Sequence, residues 1–232
     1  MLFRQLFDCE SCTYTYLLAC EVSKEAVLID PVKEHVNRYL QLIHQLELKL
    51  VITMDTHLHA DHITGTGELN QLTSCQIGMG IQTKAEFVSF KFSDNEVIDF
   101  NSFILKTMYT PGHTDDSYCF LVDNKLFTGD TLLIRGTGRT DIQGGSAKAQ
   151  YESLSRLLSL PESTFVYPAH DYNGMTVSTI GEEKRFNPRL QVNSCEEYIA
   201  LMEGLNLPKP KKMSLAIPAN LRNGITDCRI MI

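Results

Sequence analysis

No stretch of this 232-residue chain comes near the roughly 20 consecutive apolar residues that a membrane-crossing helix needs. The N-terminal run MLFRQLFDCESCTY is interrupted by Arg4, Asp8 and Glu10, so it lacks the unbroken apolar core of a secretory signal. A protein made without an export signal and working in the cytoplasm is expected. Basic residues are scarce: 21 Lys and Arg stand against 28 Asp and Glu, giving a formal net charge of -7 and a pI near 5.5. That deficit argues against a nucleic-acid partner, whose phosphates draw on clustered Lys and Arg. It also obliges any anionic substrate to find a local basic patch. Long internal repeats and low-complexity tracts are missing. The seven cysteines, an odd number, lie scattered along a chain with no export signal, which points to reduced thiols rather than a disulfide framework. Cys9 and Cys12 form a CxxC pair, but no second ligand pair at zinc-finger spacing accompanies them. They are read as ordinary buried or half-buried thiols.

What is present is an alternation of short apolar strands and amphipathic helices. Residues 14–19 and 26–29 read as a hairpin around the charged turn 21–25. Val32, Val36, Tyr39, Leu40, Ile43 and Leu46 recur at helical spacing, predicting an amphipathic helix over 32–46 packed on a sheet. A strand follows over 48–54. The second half repeats the theme with strands at 103–109, 118–122 and 125–127, the last two joined at Asp123-Asn124. A helix over 147–160 is expected after Ser146 as N-cap, stopped by Pro161, with a strand returning at 164–167. Ser194 and Glu197 form a capping box for a last helix ending at Gly204. Strands in both halves with helices between them predict an α/β fold of αββα type, two sheets sandwiched by helices. One domain spanning 1–232 is expected, with 205–232 as an irregular tail packed on it.

Five of the seven histidines fall in three short motifs: His57, His59 and His62 in THLHADH, His113 in TPGHTDDS, and His170 in YPAHDY. Imidazole is the commonest ligand for zinc, iron and related ions, and Asp61 or Asp130 (FTGDT) would add the charge that holds an ion. Each motif follows a predicted strand, and strand ends fix backbone position while letting side chains converge in a cleft. If residues 57–61 start extended, His57, His59 and Asp61 project to one side and His62 turns away, an arrangement suited to two neighbouring metal positions. His35 and His44 lie within the amphipathic helix and read as ordinary helix residues. Asp115 and Asp116 are expected to cap and orient the turn after His113 rather than bind metal.

HxHxDH followed by single His, Asp and His motifs resembles the metallo-β-lactamase superfamily from about residue 10 to residue 175. Within it, GDTLLIRGTGRTDIQGGS (129–146), then YPAHDYNGMTVSTIGEE, NPRL and the tail IPANLRNG, look like the persulfide dioxygenases, which extends the resemblance to nearly the whole chain. The resemblance implies one non-haem Fe(II) per chain, held by His57, His113 and Asp130 with coordination positions left open, a two-His-one-carboxylate arrangement associated with iron oxygenases. Glutathione persulfide and O2 would be the small-molecule partners, and sulfite and glutathione the products. His59, Asp61, His62 and His170 correspond to ligands in dinuclear relatives; here the resemblance makes them donors and acceptors that orient water and ligands. Arg139 would buttress the metal-carrying loop through Asp141 or backbone carbonyls, or touch substrate. Tyr172 would meet the glycine end of glutathione or simply pack, and Arg222 is a further candidate for that carboxylate. Ile142 departs from the family, where an aromatic residue commonly follows GRTD, which bears on loop packing more than on chemistry.

The principal rival is a dinuclear zinc hydrolase of the glyoxalase II type, cleaving glutathione thioesters, for which every ligand is present. Against it stand the GRTDIQGGS run and a C-terminal segment shorter than that hydrolase's usual helical domain. A metal-stabilised binding module would leave the open positions without a use. A nuclease of the superfamily would need an inserted domain and a basic surface. Homodimerisation is left open.

Overall fold

The computed structural model describes residues 1–100 and 103–225. The first sheet contains β1 (Leu2–Asp8), β2 (Thr13–Ala19), β3 (Glu25–Ile29), β4 (Lys49–Met54), β5 (Gln76–Gly80) and β6 (Phe90–Phe92), in that order. Its first three strands are antiparallel and the rest parallel. The second sheet contains β7 (Val97–Asp99), β8 (Ile104–Tyr109), β9 (Tyr118–Val122), β10 (Lys125–Gly129), β11 (Phe165–Pro168) and β12 (Ser178–Thr179), with only the β10–β11 pair parallel. Helices α1 (Val36–Gln45) and α2 (Thr66–Thr73) serve the first sheet. Helices α3 (Ala147–Leu158), α4 (Ile180–Phe186) and α5 (Cys195–Glu203) serve the second, and α6 (Met213–Asn220) closes the described chain.

Side-chain alternation along the strands builds the layers. On β2, Tyr16 and Leu18 enter the core between the sheets, where Val27, Met54, Phe120 and Phe127 join them. Leu17 and Ala19 turn the other way and meet Val36, Tyr39 and Ile43 of α1. On β10, Phe127 faces the inter-sheet core while Leu126 packs with Leu154, Leu157 and Tyr198 from α3 and α5. Because both faces of each sheet are covered, the strands read as nearly continuous apolar runs. The αββα sandwich expected from the sequence is the architecture observed.

Several boundaries differ for identifiable reasons. The helix expected over 32–46 begins as a 3₁₀ turn at Lys33–His35, and His35 is turned away to bond Asp8 Oδ1 at 2.9 Å. Helix α3 stops at Leu158, two residues before its expected end. Its Ser146 cap accepts from Ala149 N, and Ser194 likewise caps α5. Strand β5 shows no clear pattern in sequence because Gly78 and Gly80 make room for aromatic rings; a Cβ on Gly80 would lie 2.5 Å from Tyr118 Cδ2. The segment expected as an irregular tail carries α6, despite Pro218 within it, and the part of that expectation covering 226–232 lies outside the described residues.

The two sheets are joined beside the histidine motifs. Tyr14 N on β2 donates to Ala169 O at 2.7 Å, and Tyr16 Oη, fully buried, donates to Pro168 O at 2.6 Å. Tyr16→Phe should therefore lower stability by about 1–3 kcal/mol, the cost of a buried carbonyl losing its donor. Urea unfolding of the two proteins checks this, and an unchanged midpoint would contradict the role given to this bond.

Candidate metal centre

Three strand ends deliver the histidine and carboxylate groups. β4 ends at Met54, and residues 55–65 turn across the top of the first sheet. Asp30, just past β3, anchors the start of that turn: its Oδ1 accepts from Thr56 N at 2.7 Å and its Oδ2 from Thr56 Oγ1 at 3.0 Å. Thr56 O accepts from Tyr118 N of β9 at 2.8 Å, so the same residue is held by both sheets. His57 follows, buried at 2% exposure. His113 arrives after β8 and Asp130 directly after β10. Among the described residues, one donor atom from each of His57, His113 and Asp130 lies within 4.8 Å of the others.

The orientation of each group suits it to hold a cation. His113 Nδ1 donates to Arg139 O at 2.8 Å, which turns Nε2 toward Asp130 Oδ2, 3.5 Å away. Gly138 permits that approach, since a Cβ there would sit 2.6 Å from His113 Nδ1. Burial, reinforced by the neighbouring imidazoles of His59 and His113, pushes His57 well below the usual histidine range, leaving it neutral with a lone pair to give. Burial alone would raise Asp130, but His170, His113 and His57 outweigh it and hold the carboxyl far below its ordinary value. Two imidazole nitrogens and one ionised carboxylate, converging at the floor of a cavity, fit a divalent transition metal.

The remaining motif residues form an adjoining network. His170 Nδ1 meets Asp130 Oδ1 at 2.7 Å, and its Nε2 meets Asp61 Oδ2 at 3.0 Å and Thr13 Oγ1 at 3.2 Å. Those two carboxylates overcome the effect of burial and push His170 well above the histidine range. His62 Nδ1 meets Asp61 Oδ2 at 2.9 Å. His59 Nε2 meets Asp30 Oδ1 at 3.2 Å; burial would lower it, but Asp30 outweighs that and the ring is pushed up to about 9. His59 Nδ1 and His62 Nε2 are buried without a hydrogen-bond partner. A second convergent group, His59, Asp61 and His62, therefore stands beside the first. The expected alternation does not hold: residues 57–62 bend rather than extend, so His57 converges with His113 and Asp130 while His59 converges with Asp61 and His62, although the His57 and His59 rings remain 4.2 Å apart.

A cavity of 690 Å³ opens over this floor, with His113, Asp130, Asp61 and His170 in its lining. That volume lies within the range typical of small-molecule sites. Arg139 lies in the wall but spends its guanidinium on Asp141, at 2.6 Å through both Nε and Nη2, and on the carbonyls of Pro208 and Leu207. Tyr172, 68% exposed, stacks on the His170 ring at 5.6 Å at the mouth. Arg222 is not among the lining residues; it sits in the turn after α6, its backbone N on Ala219 O. Asp116 caps the His113 turn as expected, accepting from Thr114 Oγ1 at 2.7 Å and Leu58 N at 3.4 Å. Among the cysteines, Cys9 is exposed, Cys12 lines the cavity, and burial pushes Cys119 up to about 12. No disulfide forms among the described residues.

Sequence reading gave no role to several residues that shape the site. Asp30 and Thr13 look like ordinary strand-end residues, and Arg189 lay unremarked inside NPRL although it lines the cavity and donates to Thr137 O. The basic patch an anionic ligand requires is supplied by Lys209, Lys211 and Lys212 along the rim. Lys212 pairs with Glu10 at 2.7 Å, whereas Lys209 and Lys211 make no ion pair among the described residues.

Comparison with known proteins is consistent along the chain. The sequence pattern of the metallo-beta-lactamase superfamily matches residues 13–170. A Mus musculus protein named persulfide dioxygenase ETHE1, mitochondrial, is 49% identical over 229 residues, covering 97% of this chain and 89% of its own. The Homo sapiens protein of that name is 48% identical with the same coverage. The crystal structure of ETHE1 from Myxococcus xanthus superposes with a TM-score of 0.94 at 48% identity, over 97% of this chain and all of that one. A Staphylococcus aureus metallo-beta-lactamase shares the fold at TM-score 0.91 and 23% identity, covering 100% of this chain and 75% of its own. The word mitochondrial in the mammalian names does not support the cytoplasmic placement expected from the N-terminal run. The structure adds only that no helix among the described residues is long and apolar enough to cross a membrane.

His113→Ala and Asp130→Ala should each abolish stoichiometric metal, because either change removes one of three convergent donors. Metal analysis after anaerobic purification reads the outcome, and a variant that keeps a full complement would refute the ligand set. His62→Ala should keep its metal; loss of half of a two-metal complement would instead assign His62 to a second site.

Proposed function

Because this chain belongs to the metallo-β-lactamase superfamily and, within it, to the persulfide dioxygenases, we propose that it oxidises glutathione persulfide with O2 to sulfite and glutathione. The 1–232 chain would act as one domain, as a monomer or homodimer, with one Fe(II) held by His57, His113 and Asp130. The observation that carries this reading is the reach of the resemblance: 49% identity extends over 97% of the chain. It therefore includes the 129–146 run and the rim that wall the cavity, and not only the HxHxDH core that many hydrolases share.

Iron, when bound, supplies the oxygen-activating chemistry that redox-inert zinc lacks. The chain's own residues prepare the place for it. Neutral His57 and the oriented Nε2 of His113 give nitrogen, and Asp130 gives the negative charge. His170 and His62, both bonded to Asp61, and His59, bonded to Asp30, surround that set and orient water and ligands. Arg139 acts as a buttress, since its backbone carbonyl fixes His113 while its guanidinium is committed to Asp141 and the 207–208 carbonyls. Lys209 and Lys211, in the cavity lining, would meet the carboxylates of glutathione, and Tyr172 would serve as a packing surface for its backbone. Arg222, outside the lining, is not part of the proposed contact set.

The glyoxalase II reading is not favoured, because the relatives that share 48–49% identity over 97% of this chain carry the dioxygenase name. The two readings differ in whether oxygen is consumed. Iron-loaded protein given glutathione persulfide should take up O2 and form sulfite, and should cleave S-lactoylglutathione poorly or not at all. An oxygen electrode with iron content measured in the same sample decides it. Absent uptake together with rapid thioester cleavage would overturn the dioxygenase reading while leaving the fold assignment intact.

A further inference from the structure

The tail motif IPANLRNG has no part in the cavity, yet it reaches the histidine loop directly. Asn220, the last residue of α6, is 3% exposed and points its carboxamide into the turn after β4. Its Nδ2 donates to His59 O at 2.9 Å and to His62 O at 2.8 Å, and its Oδ1 accepts from Thr64 N at 2.9 Å. A loop must satisfy its inward-facing peptide groups somewhere, and here one side chain from about 160 residues away satisfies three of them. The remainder of the tail docks beside it. Asn223 donates to Glu86 O and accepts from Gly67 N at 3.0 Å, and Lys33 Nζ donates to Gly224 O at 2.5 Å. Gly224 is held at φ +69, where any side chain would collide with Thr64 O.

His57 consequently lies between two clamps. Asp30 holds Thr56 on its N-terminal side, and Asn220 holds His59 through Thr64 on the other. We propose that Asn220 is a positioning residue for the metal centre, setting the path of residues 57–64 and so the aim of the His57 imidazole. The inference rests on the assignment of His57, His113 and Asp130 as the residues that hold metal. Residues that orient metal ligands from outside typically contribute about 10–100-fold to metal affinity. Asn223 provides the contrast, since it anchors the same tail without touching the carbonyls of His59 or His62.

The test is anaerobic titration with Co(II) against a chelator, reading both affinity and the visible d–d spectrum. Asn220→Asp keeps the shape and removes both donors; Asn220→Ser keeps one short hydroxyl and serves if the first variant does not fold. The folded Asn220 variant should bind Co(II) about 10-fold or more weakly with an altered spectrum. Asn223→Ala should lower the thermal midpoint of the metal-free protein while leaving affinity and spectrum close to those of the parent. Unchanged affinity and spectrum in the Asn220 variant would overturn the proposal, and so would an equal loss in Asn223→Ala, which would mean that docking the tail is all that matters. His113→Ala, run alongside, separates the failures: normal Co(II) binding there would sink the ligand assignment itself.

Discussion

The carboxylate of Asp30 is buried at the end of β3 with one oxygen on the amide of Thr56 and the other on its hydroxyl, and the site depends on that anchor. An isolated carboxylate at 1% exposure would be costly; here the loop supplies the donors that offset its desolvation. Thr56 is thereby fixed to the first sheet, and its carbonyl is taken by Tyr118 of the second. The loop that carries HxHxDH thus starts from a point common to both sheets. This lets His57, from the first half of the chain, meet His113 and Asp130 from the second, with one donor atom of each within 4.8 Å of the others. The αββα architecture matters to function mainly for this reason: it brings unrelated strand ends to one seam.

Charge is distributed on the same logic. An overall balance of -7 would repel an anionic small-molecule substrate in solution. The carboxylates at the floor are matched by imidazoles, so that Asp130 and Asp61 stay ionised in spite of their burial. Two cations that form no ion pair among the described residues, Lys209 and Lys211, line the cavity. The segment bearing them is tied to the floor by one residue: Arg139 holds the carbonyls of Leu207 and Pro208 with its side chain and His113 with its backbone. Substrate-facing charge and ligand orientation are therefore linked through the GRTD turn.

The layering and most of the long elements were legible in sequence, because strand runs buried on both faces and amphipathic α1 and α3 leave strong patterns. The histidine motifs were legible for a different reason: polar residues concentrated at strand ends rarely serve packing alone. Three things were hidden. The division of HxHxDH between two clusters depends on bends over residues 57–62, which the alternation of an extended chain does not foresee. Asp30 and Asn220 are single polar residues whose importance lies in partners brought near by tertiary structure, about 26 and 160 positions away. Strand β5 and helix α6 are weak by local propensity, with glycines in one and Pro218 in the other, and are secured by packing instead.

The central claim is that one metal ion sits between His57, His113 and Asp130 rather than on the neighbouring His59, Asp61 and His62. Anomalous diffraction at the iron edge from crystals grown and loaded without oxygen addresses it directly. The account predicts one strong peak per chain within bonding distance of His57, His113 and the Asp130 carboxylate. A peak centred on His59, Asp61 and His62, or two peaks of comparable height, would contradict it.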